Sequence, residues 1–156
     1  MNVAFYKYQG TGNDFVMIDN RTNIFPKSNT TIISNLCDRH FGIGADGIIL
    51  IEDDPKFDFK MVYMNADGSQ TFCGNGARCA VAFAKNLKII NTETNFIAHD
   101  GAHFAKIENE RVSLKMSDVN EIKVQENSVF AHTGTQHHVE LVNNLDDFPV
   151  FEKGRE

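Results

Sequence analysis

Cys73 is the residue in this sequence best placed to do chemistry. It stands directly before Gly74-Asn75-Gly76, and the run that follows, "ARCAVAFAKN", has the spacing of an amphipathic helix. A helix N-terminus stabilises an anion through its dipole and its unpaired N–H groups, so a cysteine there can work as a thiolate base. The same N–H groups can hold a carboxylate beside it. A structural cysteine buried beside a turn fits this pattern equally well.

An amino acid is the ligand that suits a base next to an anion-binding helix start. The helix start would hold the α-carboxylate while the thiolate faces the Cα hydrogen. A zinc site is the weaker alternative, because five residues separate Cys73 from Cys79 whereas zinc ligands usually have two to four between them. We therefore predict no metal, and we place Cys79 and Cys37 in the core as small apolar residues.

Composition limits the class of protein. The 156 residues allow one domain and the beginning of a second, and the net charge of −6 leaves no basic surface for nucleic acid. No apolar run approaches the roughly 20 residues that cross a membrane. Three cysteines cannot all pair, so reduced thiols in the cytoplasm are the simpler interpretation.

The elements that must position Cys73 are many strands and two helices, which predicts an α+β fold rather than a regular βαβ alternation. The helices are predicted at 27–44, with Asn29 or Thr30 as the cap and Gly42 as the stop, and at Asn75–Lys88. The predicted strands are Val3–Tyr8, Phe15–Asp19, Ile48–Glu52, Phe57–Met64, 95–100, 102–108 and 111–116.

Two segments of the chain resemble each other. "GTGNDFVMIDN" at 10–20 and "GTQHHVELVNN" at 134–144 share a glycine-threonine turn, an apolar strand and a terminal asparagine. A chance match is the alternative, since turns followed by strands are common. If the repeat is real, a second copy of the first unit begins near residue 120. We therefore predict two domains, 1–117 carrying Cys73 and 118–156 as the beginning of a second, truncated lobe.

Four ordered segments resemble the diaminopimelate epimerase family. They are "YQGTGNDFVMID" (8–19), "LCDRHFGIGADGIIL" (36–50), "YMNADGSQTFCGNGARCAVAFA" (63–84) and "TGTQHHVELVNNLDDF" (133–148). The resemblance implies a mixed or antiparallel sheet wrapped around a central helix, as one of two pseudo-symmetric lobes. It also implies interconversion of LL- and meso-diaminopimelate in lysine and peptidoglycan precursor biosynthesis, without pyridoxal phosphate, metal or other cofactor.

The resemblance assigns roles by position. Each lobe of the family contributes one cysteine: one thiolate removes the Cα proton and the other thiol returns a proton on the opposite face. Cys73 corresponds to the first-lobe acid/base, and Gly74 and Asn75 correspond to residues that bind the α-carboxylate together with the helix N-terminus. The partners implied are the small-molecule substrate, a C-terminal lobe that this chain lacks, and a second copy in a homodimer.

Three further residues receive roles from the resemblance. Asn13 and Asn65 correspond to substrate contacts. His137 corresponds to a histidine that lies near the first-lobe cysteine and can move its proton. The turn around it departs from the family, since Thr135 and Gln136 stand where many members have asparagine and proline.

Other departures limit what the resemblance implies. The second cysteine with its "C-G-T-G" helix is absent, so we expect this chain alone to be inactive and to be a piece of a two-lobed enzyme. Gly47 stands where some members have a substrate-contacting glutamine, so no binding role is predicted there. Two alternatives stay open, a non-catalytic lobe that binds an amino acid and another cofactor-independent racemase or isomerase of the same fold.

Overall fold

Strands β2 (Asn13–Asp19) and β3 (Gly47–Glu52) each contain a run of four consecutive apolar, buried residues, as expected for strands that are covered on both faces. In the computed structural model, which describes residues 2–154, they pair in parallel inside a seven-stranded sheet. The other strands are β1 (Tyr6–Gly10), β4 (Phe59–Asn65), β5 (Glu93–Ala98), β6 (Gly101–Glu108) and β7 (Arg111–Leu114). They follow chain order across the sheet; β4 and β5 also pair in parallel, and the remaining pairs are antiparallel.

Helix α2 (Gly74–Asn86) lies at the centre of this sheet. It packs against both edge strands, β1 and β7, as well as against strands between them, so the sheet curls around it. Small residues such as Ala77, Ala80 and Ala84 are fully buried on the helix and allow the strands to approach it closely. The predicted fold, an α+β lobe with a mixed sheet wrapped around a central helix, is confirmed.

The two faces of the sheet contribute to two separate cores. Successive side chains of a strand point to opposite faces, so Phe15 and Met17 belong to the core that contains α2. Val16 and Ile18 belong to the other core, where Ile33 of the first helix covers the sheet. The register of β2 therefore determines which of its side chains face α2.

The first helix, α1, is shorter than predicted. It spans Thr30–Cys37, and the predicted cap Asn29 accepts a hydrogen bond from the Ile32 N–H at 3.1 Å. The helix does not continue to Gly42, because Asp38 leaves the helical conformation. The Asp38 carboxylate instead accepts from the N–H groups two and three residues further on, at 2.8 and 2.6 Å. A local side-chain cap therefore ends α1 before its apolar pattern does.

The first hairpin also differs from its prediction. Strand β1 covers Tyr6–Gly10 rather than Val3–Tyr8, because it pairs with β2 up to a two-residue turn at Thr11 and Gly12. Both turn residues have positive φ, 56° and 87°, which matches the twist of a tight hairpin. The other predicted strands and the second predicted helix agree with the structure to within two residues at each end.

The chain falls into two compact units, Met1–Ser117 and Asp118–Glu156. The second unit contains a three-stranded antiparallel sheet in the order β10-β9-β8, formed by β8 (Ile122–Val124), β9 (Ser128–His132) and β10 (Gln136–Glu140). A short helix, α3 (Val150–Lys153), follows. Met1, Arg155 and Glu156, which belong to the predicted domain ranges, lie outside the described residues. Between residues 2 and 154, no helix combines the length and the apolar character that crossing a membrane requires.

Candidate active site

Cys73 is the N-cap of α2. Its Sγ accepts a hydrogen bond from the Gly76 N–H at 3.3 Å, in the position where a serine or aspartate oxygen usually caps a helix. Its carbonyl accepts the first helical bond, from the Ala77 N–H at 2.7 Å. The N–H groups of Gly74 and Asn75 have no acceptor among the described residues. These two donors, directly beside the sulfur, are available to an anion.

The two glycines of the helix start have different roles. Gly76 is buried, and a Cβ there would lie 3.0 Å from Ile49 Cδ1 and 3.4 Å from Met61 Cε. It is therefore needed for packing α2 against the sheet rather than for the approach of a ligand. A Cβ on Gly74 would meet only Met116 at 3.7 Å and one more side chain at ordinary contact distance. The open space at the start of the helix is at Gly74.

Phe72 holds the segment that leads into Cys73. Its side chain is 4% exposed, and its ring stacks on the ring of His103 with 4.3 Å between the centroids and 3° between the planes. His103 is itself buried, and its Nε2 lies 2.8 Å from Asp100 Oδ1. The residue before Cys73 is thus fixed by the core, which limits the movement of the sulfur.

Asn13 lies beside Cys73 although 60 residues separate them. Its Oδ1 is 3.4 Å from the Cys73 Sγ and 3.5 Å from Asn75 Nδ2. Asn75 Oδ1 in turn accepts from Thr11 Oγ1 at 3.2 Å and from Arg78 Nη2. The structure therefore brings three of the predicted site residues together, at the end of the first hairpin and the start of α2.

A charged network anchors this cluster from the sheet side. Asn13 Nδ2 donates to Asp46 Oδ2 at 2.5 Å, and Arg39 Nη2 donates to Asp46 Oδ1 and Asp14 Oδ1, both at 2.8 Å. Lys7 Nζ lies 2.8 Å from Asp14 Oδ2. Asp46 directly precedes β3, whose parallel pairing with β2 places the carboxylate at the start of β2.

The network predicts an acid-sensitive stability. The Arg39 guanidinium, and then the Lys7 ammonium, hold the pKa of the Asp14 carboxyl well below its usual range, although partial burial opposes this. A lowered pKa in the folded state stabilises the protein above the unfolded-state value of about 3.9, and this stabilisation is lost as the pH falls below that value. We expect the free energy of unfolding of the parent chain to decrease between about pH 5 and pH 3. Because the Asp14→Asn variant lacks this carboxylate, its free energy of unfolding should decrease less over the same interval. Urea denaturation at several pH values tests this, with the exposed Asp118→Asn as control; equal slopes for Asp14→Asn and the parent chain would contradict it.

Asn65 belongs to a neighbouring, separate network. Its Oδ1 accepts from the Tyr63 hydroxyl at 2.7 Å, and its Nδ2 donates to Ser69 Oγ at 3.0 Å and Thr71 Oγ1 at 3.3 Å. Within the described part of the chain, no hydrogen bond connects Asn65 with Cys73. Both ends of its amide are used by the lobe itself, so the structure does not place Asn65 in the cluster that surrounds the sulfur.

Tyr63 keeps Asn65 in this orientation. Burial, and then the neighbouring Cys73, raise the pKa of the Tyr63 phenol well above its usual range, so the hydroxyl stays a hydrogen-bond donor. Gly47 lies against the ring: a Cβ there would be 2.6 Å from Tyr63 Cε2 and 2.5 Å from the Met64 carbonyl oxygen. The absence of a side chain at Gly47 is therefore required by packing.

The other two cysteines are core residues, as predicted. Cys37 and Cys79 are both 4% exposed, and all three thiols of the chain are free. Burial raises the pKa of Cys79 to about 11 and also raises that of Cys37, so both stay neutral near pH 7. Cys73 is the partly exposed cysteine.

His137 lies in the second unit, on the exposed strand β10. Its Nδ1 is 3.0 Å from the Thr135 carbonyl oxygen and 3.1 Å from Thr133 Oγ1, so the turn holds the ring. Its predicted action on Cys73 stays a prediction. No group of three or more histidine, cysteine or acidic side chains among residues 2–154 is arranged to hold a metal ion.

A model of a known protein family matches this sequence. The model described as diaminopimelate epimerase matches residues 5–122, which is more than half of the chain. The chain belongs to the diaminopimelate epimerase family. The resemblance that the sequence motifs carry is thereby confirmed.

Curated members of the family are similar over almost the whole chain. The diaminopimelate epimerase of Flavobacterium psychrophilum is 60% identical over 97% of this chain, and that of Chlorobaculum tepidum is 40% identical over 93%. In both cases the match spans 60% of the relative's own length. The chain thus corresponds to three fifths of the length of these diaminopimelate epimerases.

Solved structures show the same fold at low sequence identity. A phenazine biosynthesis protein of the PhzF family from Bacillus anthracis is 14% identical, with a TM-score of 0.72 over 94% of this chain and 58% of its own. A probable proline racemase from Agrobacterium radiobacter is 13% identical, with a TM-score of 0.65 over 98% of this chain and 57% of its own. These likenesses concern the fold alone.

Sequence reasoning did not find several residues of the site in this member of the family. Four of them hold asparagine side chains directly, namely Asp46, Arg78, Thr11 and Tyr63. The fifth, Arg39, holds Asp46. The sequence did contain one signal for Asp46. Asp46 immediately precedes one buried strand, and Asn13 is the first residue of another. Parallel pairing of these two strands would have placed them together.

Proposed function

We propose that this chain is the lobe of a diaminopimelate epimerase that supplies the acid/base Cys73, and that the intact protein interconverts LL- and meso-diaminopimelate without a cofactor. The observation that carries the proposal is the Cys73 Sγ at the N-terminus of α2, next to two N–H groups that can donate hydrogen bonds to an anion. The 60% identity to a diaminopimelate epimerase supports the choice of substrate. In this proposal the protein is an isomerase.

The helix start binds the substrate by its α-carboxylate. The N–H groups of Gly74 and Asn75 donate to the carboxylate, and the helix dipole favours its negative charge. The Asn13 and Asn75 side chains line the same place. Removal of the Cα proton increases the negative charge on the carboxylate side of the substrate, so preorganised donors there stabilise the transition state. The half-buried sulfur then faces the Cα hydrogen.

Inversion requires a second acid/base group on the opposite face of the Cα atom. Cys73 removes or returns the proton on one face, and a group outside the length that this chain spans acts on the other. Closure of the two lobes over the substrate excludes water and strengthens the electrostatic interactions inside. The substrate need not turn over in the site, because the two groups approach it from opposite sides.

The two units fit two lobes. Residues 1–117 form the first lobe and residues 118–156 begin the second. The two similar sequence segments overlap the antiparallel hairpins β1–β2 and β9–β10, which supports this division. His137 then assists proton transfer at Cys73. Asn65 contacts the substrate by exchanging one of its internal hydrogen bonds for one to the ligand.

The proposed chemistry also indicates a cellular compartment and partners for this protein. The reaction needs Cys73 as a free thiol or thiolate, which a reducing cytoplasm maintains. The intact protein is a homodimer in this proposal, and its sedimentation velocity tests that state. Its small-molecule partner carries an α-amino and an α-carboxylate group at the reacting centre.

Solvent-deuterium exchange tests the proposed function. LL- and meso-diaminopimelate are incubated in D2O with the full-length protein that contains this chain, and with the 156-residue chain alone, and Cα deuterium is measured by mass spectrometry. We expect exchange and epimerisation with the full-length protein and none with the chain alone. Binding of diaminopimelate without exchange would indicate the non-catalytic lobe instead. Racemisation of proline but not of diaminopimelate would assign the protein to another activity of the same fold.

A further inference from the structure

The orientation of the Asn13 amide is fixed by a group that can only accept hydrogen bonds. The carboxylate oxygen Asp46 Oδ2 lies 2.5 Å from one end of the amide, so that end must be the NH2 group. The Asp14 backbone N–H donates to the same oxygen at 3.1 Å. The other Asp46 oxygen is occupied by Arg39. Asp46 therefore has a defined arrangement of three donors around it.

The amide oxygen of Asn13 consequently faces Cys73. Oδ1 lies 3.4 Å from the Sγ, and an amide oxygen can only accept, so the sulfur is the donor in this contact. The same sulfur accepts from the Gly76 N–H at 3.3 Å. A neutral thiol can do both, and its S–H is directed at Asn13. At the far end of the cluster, Arg78 fixes the Asn75 amide in the same way, since a guanidinium can only donate.

We propose that Asp46 is a positioning residue which, through Asn13, directs the S–H of Cys73 and keeps the Asn13 oxygen pointed into the site. This inference rests on the proposed function, in which Cys73 is the acid/base. Asp46 touches neither the sulfur nor the place of the substrate; it acts through the Asn13 amide. Its side chain is 41% exposed, and it stays in place because two donors from β2 and the Arg39 guanidinium converge on it.

Two substitutions separate this role from a simple effect of charge. Asp46→Ala removes both acceptor oxygens and allows the Asn13 amide to turn its NH2 group towards the sulfur. Asp46→Asn removes the same charge but retains one oxygen for the Asn13 amide and the Asp14 N–H, while Arg39 keeps its bond to Asp14. A merely electrostatic role predicts equal effects for the two variants, whereas a positioning role predicts rescue by asparagine.

The first measurement is the rate at which iodoacetamide alkylates Cys73 at neutral pH in the full-length protein, read by peptide mass spectrometry. A turned Asn13 amide donates to the sulfur and stabilises the thiolate, so we expect Asp46→Ala to raise this rate about tenfold, as one hydrogen bond to a charged group would. Asp46→Asn should stay within about twofold of the parent. Equal rates for both variants, changed or unchanged, would overturn the proposal.

The second measurement is Cα deuterium exchange from diaminopimelate by the same proteins. We expect Asp46→Ala to lower it about tenfold and Asp46→Asn to restore most of it, because the Asn13 oxygen is again in place. The proposed function fails if the parent protein does not exchange at all, whereas the positioning role fails if the parent exchanges and Asp46→Ala exchanges equally well. The alkylation result does not depend on any substrate.

A third measurement needs no variant and so does not depend on the folding of Asp46→Ala. Because the Asn13 NH2 group and the Asp14 N–H donate to one oxygen, their protons lie close together. We expect a nuclear Overhauser effect between them in the parent protein. Its absence, with both resonances assigned, would overturn the proposed amide orientation.

Discussion

Cys73→Ser in the full-length protein should reduce epimerisation of diaminopimelate by about 10³-fold, the usual contribution of a positioned acid/base group. The serine hydroxyl is a far weaker acid than the thiol and provides almost no anionic base near neutral pH. It is, however, a good N-cap, and it can accept the Gly76 N–H in place of the sulfur. The substitution thus retains the start of α2 while removing the proton-transfer group. Cα deuterium exchange, followed separately for the LL and meso isomers, measures the loss.

Two further variants distinguish this role from a structural one. Cys73→Ala should be equally inactive and, because it also removes the cap, less stable than Cys73→Ser by about 1 kcal/mol. Cys79→Ala changes a buried thiol of the same helix and should retain activity. Activity retained in Cys73→Ser would remove this sulfur from the mechanism, and equal losses in Cys73→Ser and Cys79→Ala would point to damage of the helix instead.

Phe83→Ala should produce a large loss of stability, about 3–5 kcal/mol. Phe83 is fully buried on α2, and its ring lies 5.0 Å from the ring of Tyr6 and 5.6 Å from that of Tyr8. Truncation removes apolar burial and leaves a cavity between the central helix and the edge strand β1. A loss of this size is a large part of the 5–15 kcal/mol that stabilise a typical domain. Urea denaturation followed by circular dichroism measures it.

Phe41→Ala is the matched control, since it makes the same chemical change at a position that is 95% exposed. We expect it to change the free energy of unfolding by less than about 0.5 kcal/mol. A similar loss in both variants would mean that the core around α2 does not determine the stability of this lobe. The difference between the two variants is more informative than either value, because it cancels the intrinsic difference between phenylalanine and alanine.

The elements that carry the site were largely predictable. The apolar periodicity of α2 and the glycines at its start located the helix, and with it the place of Cys73, because both signals lie within a few consecutive residues. The buried strands β2 and β3 were equally clear from their apolar runs. The end of α1 was not, because the Asp38 side chain stops the helix while the apolar pattern continues. Short-range signals therefore fixed the elements but not all of their ends.

By itself, the sequence determined the fold class, the family and the position of one cysteine at a helix start, since each depends on local patterns or on motif order. The tertiary structure alone decided which polar groups meet. Asn13 reaches Cys73 only because the sheet curls around α2, and Asp46 reaches Asn13 only because β2 and β3 pair in parallel in one register. Asn65, whose contact with the substrate stays a prediction, is held by the Tyr63 hydroxyl in a neighbouring network. Hydrogen bonds form over about 3 Å, and contacts of that precision between residues distant in sequence are set by strand register and packing.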